Sequence, residues 1–221
     1  IILIKKSYAS GELISVEKPS PYRTVPPCPV YDSCGGCQIS HLTYEGQLAA
    51  KERRVKDVMV RIGKASEDVV LPILGAPHEW NYRNKMAVPV GQVTGGPVLG
   101  YYRQGTHQIV PIQECLIQEE ENNRLLRFAE DFMIRHGITS YNEKSGKGCV
   151  RHVMGRVGDN GEVMAVIVTA TENLPKKDLW AEEIQKALPE VVSLYHDVQN
   201  KKRNVILGPE IHHILSLIHI T

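Results

Sequence analysis

Three cysteines fall within the short stretch from Cys28 to Cys37, directly after a proline-rich run. Thiols at this density point to a shared metal or, failing that, to disulfide-linked or unliganded thiols, and each choice bears on how the chain around them folds. Pro19, Pro21, Pro26 and Pro27 exclude a helix and read as a semi-rigid connector, so a boundary between two units is expected near Pro27. Between Cys34 and Cys37 stand Gly35 and Gly36, which permit the sharp turn that two thiolates three positions apart need to face one centre. A remote Cys115 brings the available sulfurs to four. Three local ligands with a distant fourth are a common iron-sulfur arrangement, but a four-thiolate zinc site satisfies the same spacing. On spacing alone the metal stays open, with unliganded or disulfide-linked thiols as the third reading.

The odd total of five cysteines in 221 residues argues against a secreted disulfide framework and for a reduced, cytoplasmic chain. Cys149 has no activating neighbour in sequence and is read as a packed structural thiol. With 26 Lys and Arg against 25 Asp and Glu, the net charge of +1 does not point to a polyanionic partner, so any nucleic-acid footprint must be local. Hydrophobic residues at 42% and charged residues at 23% exclude a disordered or fibrous chain. No apolar run approaches the roughly 18 residues of a membrane span, and the four apolar residues at the start meet Lys5 and Lys6 at once. No membrane partner is expected, and the missing initiator Met reads as a truncated N-terminus.

The periodicities predict an α+β chain with an antiparallel sheet. A helix is expected over 41–62, capped by Ser40, with Leu48, Val55, Met59 and Ile62 inward and Lys51, Arg53 and Arg54 on a locally positive outer face. Strands at 85–90 and 98–103 flank a glycine-rich turn. A second helix over 119–136 presents Leu125, Leu126, Ala129, Phe132 and Met133. A hairpin at 150–157 and 163–171 turns through Gly158-Asp159-Asn160-Gly161. A third helix starts at Pro175 and is followed by strands at 191–199 and 204–207.

Cys28-Pro29-Val30-Tyr31 with Cys34-Gly35-Gly36-Cys37-Gln38, then His41-Leu42, Tyr44, Gln47-Leu48, Lys51 and Arg61-Ile62-Gly63, resembles the iron-sulfur RNA uracil-5-methyltransferases that modify 23S ribosomal RNA. Trp80-x-Tyr82-Arg83-Asn84-Lys85, Gly100-Tyr101-Tyr102-Arg103, Cys115, Arg151-His152 and the 204–208 segment follow in the same order. The resemblance implies the end of an OB-like TRAM β-barrel plus the proline linker over 1–27, and a central domain over 28–208 that holds a [4Fe-4S] cluster on Cys28, Cys34, Cys37 and Cys115. It leaves 209–221 outside the family pattern; Leu215 to Ile220 equals the translation of a sequencing-library adapter, and that tail is expected to be a cloning or sequencing artefact.

In such enzymes a thiolate adds to C6 of a uracil flipped out of the RNA, and C5 then accepts methyl from S-adenosylmethionine. Neither a glycine-rich strand-to-helix loop for that cofactor nor the family's nucleophile occurs here, so the Rossmann-like methyltransferase domain is expected to be missing and the chain alone inactive. No catalytic or S-adenosylmethionine-binding residue is assigned. The residues expected to meet RNA are Arg83, Lys85 and Tyr82, then Lys51, Arg53, Arg54 and Arg103, then Arg151 and His152 on a strand edge. A monomer is expected. The rival reading is a stand-alone four-cysteine zinc or iron-sulfur RNA-binding module without catalysis.

Overall fold

The computed structural model describes residues 2–201, 203 and 205–216. The chain forms two compact units, Ile1–Pro27 with Ile39–Gly75, and Cys28–Gln38 with Ala76–Thr221. The cysteine-bearing stretch thus leaves its neighbours in sequence and joins the second unit.

In the first unit, strands β1 (Leu3–Ile4) and β2 (Ala9–Ser10) form a short antiparallel hairpin. Helix α1 spans Tyr44–Arg61. Its cap is Thr43 rather than the expected Ser40, because the Thr43 hydroxyl is the one that accepts the Gly46 N–H, at 3.2 Å. The expected apolar face is not buried: Val55, Met59 and Ile62 are exposed, and within the unit α1 closes on Tyr22 at Gly46 instead. Glu52 anchors the chain that follows by accepting the Ile73 N–H at 3.0 Å while pairing with Lys56 at 2.8 Å.

The second unit is built on strands β3 (Lys85–Val93), β4 (Gly96–Tyr102), β5 (Ile109–Pro111), β6 (Val150–Val157), β7 (Val163–Thr169), β8 (Val191–Val198) and β9 (Glu210–Ser216). They form one seven-stranded sheet in the order β5-β4-β3-β6-β7-β8-β9. Helix α2 (Glu120–Arg135) lies on β4, β6 and β7, and α3 (Lys177–Ala187) on β8 and β9. The inward face of α2 is the expected one, Leu125, Leu126, Ala129, Phe132 and Met133, all fully buried. Phe132 stacks at 3.9 Å on Trp180 of α3, so the two helices share one aromatic centre. Gly155 lets α2 approach β6, since a Cβ there would run into the Asn122 side chain.

Three further expectations need correction. The sheet is mixed: β7 and β8 are parallel, because α3 carries the chain back to the end where β7 began. No strand forms at 204–207 among the described residues, where the Gln199 amide instead holds the carbonyls of Val205 and Leu207; the next strand is β9. Finally, β6 lies between β3 and β7, so Arg151 and His152 are on a central strand and not on an edge.

Two histidines make this sheet acid-sensitive. His196 is 3% exposed with Nε2 2.7 Å from the Thr169 hydroxyl, and burial pushes its imidazole down to about 4. Burial, aided by Arg151, does the same to His152, whose Nδ1 is buried without a partner among the described residues. Both folded-state values lie below the unfolded value of about 6.5, so the unfolded chain binds more protons between those limits. Stability is therefore expected to fall by on the order of a few kcal/mol as pH drops from about 6.5 to about 4. Urea unfolding across that range checks this, and His196→Gln should flatten the profile.

Candidate metal centre

The first cysteine is followed by a tight turn in which Cys34 N–H donates to the Val30 carbonyl at 2.7 Å and Tyr31 N–H to that of Cys28 at 3.2 Å. Gly35 then reaches β4, its N–H donating to the Tyr102 carbonyl at 2.9 Å. A Cβ on Gly35 would sit 2.8 Å from that carbonyl oxygen, so glycine is required for the approach. The contact seats Cys34, Gly36 and Cys37 over the end of the sheet.

Cys115 reaches the same place from the loop between β5 and α2. Its N–H donates to Asn123 Oδ1 at 2.9 Å and its carbonyl accepts from Asn123 Nδ2 at 3.3 Å. Asn123 Oδ1 also accepts from Gln118 Nε2 at 3.1 Å, and Gln118 Oε1 accepts the Tyr101 hydroxyl at 2.6 Å. Asn123 and Gln118 are both fully buried, and burial pushes the Tyr101 phenol up to about 12, which keeps it a donor. Sequence patterning gave no hint of this network, since an Asn on the inward face of α2 breaks the apolar period.

The result is one cavity of about 30 Å³ lined by Cys28, Cys34, Cys37 and Cys115 over Ile112, Ile117 and Tyr101. Cys34 and Cys37 also line a larger polar recess of about 510 Å³ with Asp32, Ser33, Gln38 and Arg103. Burial raises the thiol pKa values of Cys34 and Cys115, so both stay protonated until something takes the proton's place. Four soft sulfur donors on one cavity suit zinc or an iron-sulfur group by their chemistry. Among the described residues, no group of three or more His, Cys, Asp or Glu side chains is arranged to hold a metal ion.

Arg83, expected at the RNA, lines the cysteine cavity, where its charge acts on both Cys34 and Cys115. Its backbone is locked there, N–H donating to Ile117 at 2.8 Å and carbonyl accepting from Glu119 at 3.2 Å. Arg151 is 7% exposed, 4.6 Å from the Tyr141 ring centroid and 3.3 Å from the Gln199 carbonyl. It is a packed cation inside the unit. Tyr82, Lys85 and Arg103 are exposed on the second unit; Lys51, Arg53 and Arg54 are exposed on α1 in the first. Cys149 is buried with its sulfur 3.1 Å from the Thr171 hydroxyl, and burial pushes its thiol up, as suits a packed structural thiol.

No family model matches the chain. It is 51% identical over 209 residues to a Bacillus cereus protein named an uncharacterized RNA methyltransferase, covering 94% of this chain and 46% of that one. A protein of the same description from Halalkalibacterium halodurans is 42% identical over equal shares. The chain thus spans about half the length of the relatives it matches. Among solved structures, it shares its fold with Pyrococcus abyssi tRNA (uracil-54, C5)-methyltransferase in complex with S-adenosyl-L-homocysteine, at a TM-score of 0.63 and 22% identity over 90% of this chain and 43% of that one. Among the described residues, no helix is long and apolar enough to cross a membrane.

Proposed function

We propose that this chain is the cluster-holding, RNA-binding part of an S-adenosylmethionine-dependent methyltransferase acting on C5 of uracil in 23S ribosomal RNA. The observation that carries the reading is the arrival of Cys28, Cys34, Cys37 and Cys115 at one cavity, in a chain half identical to a protein named an RNA methyltransferase. Those four residues would hold a [4Fe-4S] cluster, which would tie the Cys115 loop to residues 28–37. Arg83 would offset the negative charge that four thiolates bring into a partly apolar site. Residues 1–27 belong to a TRAM-like barrel in this reading, and the protein is cytoplasmic and monomeric. Methyl transfer and S-adenosylmethionine binding are not assigned to any residue of this chain, which by itself transfers no methyl group.

Anaerobic purification followed by an absorption spectrum and iron, sulfide and zinc analysis tests this. A broad absorbance near about 400 nm with about four irons and four sulfides per chain is the expected result. One zinc and no colour would sink the cluster assignment and leave a thiolate-stapled RNA-binding module.

A further inference from the structure

The face of the second unit's sheet turned away from α2 carries a row of side chains among which Lys85, Arg156 and Met164 are exposed. Gly155 faces Asn122 of α2, so by strand alternation Met154 and Arg156 point the other way. Cross-strand register sets Lys85 of β3 directly opposite Arg156, and Arg156 opposite Met164 of β7. The next row runs Ala87, Met154, Val166 and Tyr195 across β3, β6, β7 and β8. Lys85, Arg156, Met154, Met164 and Tyr195 line one groove of about 240 Å³, and no carboxylate lines it.

Two like charges directly opposite on neighbouring strands repel each other. Lys85 and Arg156 are both exposed, and neither has a carboxylate within ion-pair distance among the described residues. Asp197, on β8 and four residues along from the row of Arg156 and Met164, is 2% exposed and accepts the Gly208 N–H at 2.6 Å, so it does not neutralise them. Beside this pair Met164, 38% exposed, offers a polarizable thioether, and the half-buried Tyr195, in edge contact with His213 at 5.3 Å, offers the kind of aromatic face on which a base stacks.

We infer that this groove binds single-stranded RNA, with a backbone phosphate between Lys85 and Arg156 and an unpaired base against Met154, Met164 and Tyr195. The inference rests on the RNA reading above and adds the surface. It assigns Arg156, Met154, Met164 and Tyr195, which no motif singled out.

The test is fluorescence anisotropy of a short uridine-rich RNA with the 221-residue chain and with Lys85→Gln/Arg156→Gln, both screened first for unchanged melting. The double variant and Tyr195→Ala are each expected to weaken binding about tenfold, the loss of one phosphate clamp or one stacked base. The double variant should also flatten the salt dependence by about one unit of log–log slope, and Tyr195→Ala should not. Lys144→Gln/Lys201→Gln, which removes the same charge elsewhere on the unit, should bind within about twofold of the parent. Equal losses in both double variants, or RNA affinity unchanged while sedimentation of the chain shifts, would overturn the groove and leave RNA binding in place; a parent chain that binds no RNA would overturn both readings.

Discussion

Under the proposed cluster reading, Cys37→Ser is expected to abolish metal loading and to leave most of the chain insoluble. Metal-site free energy is folding free energy, on the order of 10 kcal/mol for a structural thiolate site, which is as large as the whole net stability of a typical domain. In the proposed reading the four sulfurs, which line one cavity, would join the tight turn at residues 28–37 to a loop carried by α2, so loss of one ligand would release both. The turn itself is held by a handful of backbone hydrogen bonds, among them those to Val30 and Tyr102, and these alone offset little of the chain entropy. Iron and sulfide content, soluble yield and thermal melting are the readouts. Cys149→Ser is the companion, expected to keep full metal content because that thiol packs against Thr171 away from the cavity. A Cys37→Ser chain that folds cooperatively without metal would remove the structural role, and one that keeps its iron would remove Cys37 from the ligand set.

The second large effect is expected at a residue with no chemistry of its own. Asn123→Leu keeps the branched shape of a fully buried side chain, at a larger volume, and deletes its bonds to Cys115 N–H, the Cys115 carbonyl, Gln118 and Glu120. Each buried partner left unpaired costs about 1–3 kcal/mol, so a loss of about 3–5 kcal/mol is expected, a large fraction of the stability of a domain this size. Asn123→Asp keeps the two acceptor bonds but loses the donors to the Cys115 carbonyl and Glu120 and sets a buried carboxylate against both, so its melting should also fall below the parent's. Metal content per folded chain separates positioning from mere stability: Asn123→Leu should lose metal even at temperatures where circular dichroism shows it folded. If it loads metal like the parent, Asn123 does not hold the fourth cysteine in place.

The legible part of the site was its chemistry. Cys28, Cys34 and Cys37 announce themselves by spacing and by the Gly35-Gly36 turn, and the structure adds that Cys115 reaches the same cavity. The surroundings of Arg83 and Arg151 were not legible, because a cation in sequence carries no mark of what it packs against. One lines the cysteine cavity, and the other sits over Tyr141 on a central strand. Arg156 was passed over because its partner Lys85 is far away in sequence and adjacent only through the β3–β6 register.

Local patterning determined many of the helices and strands, since the 3.6-residue and alternating periods are properties of the chain itself: the inward face of α2, the hairpin at Gly158-Asp159-Asn160-Gly161 and the cysteine-rich turn all follow from residue order. Tertiary structure alone decided that β7 and β8 run parallel, that Asn123 clamps the Cys115 loop, and that two like charges stand opposite each other on one sheet face. These depend on which strands become neighbours and in what register, and a one-residue slip in that register would turn every such side chain to the opposite face.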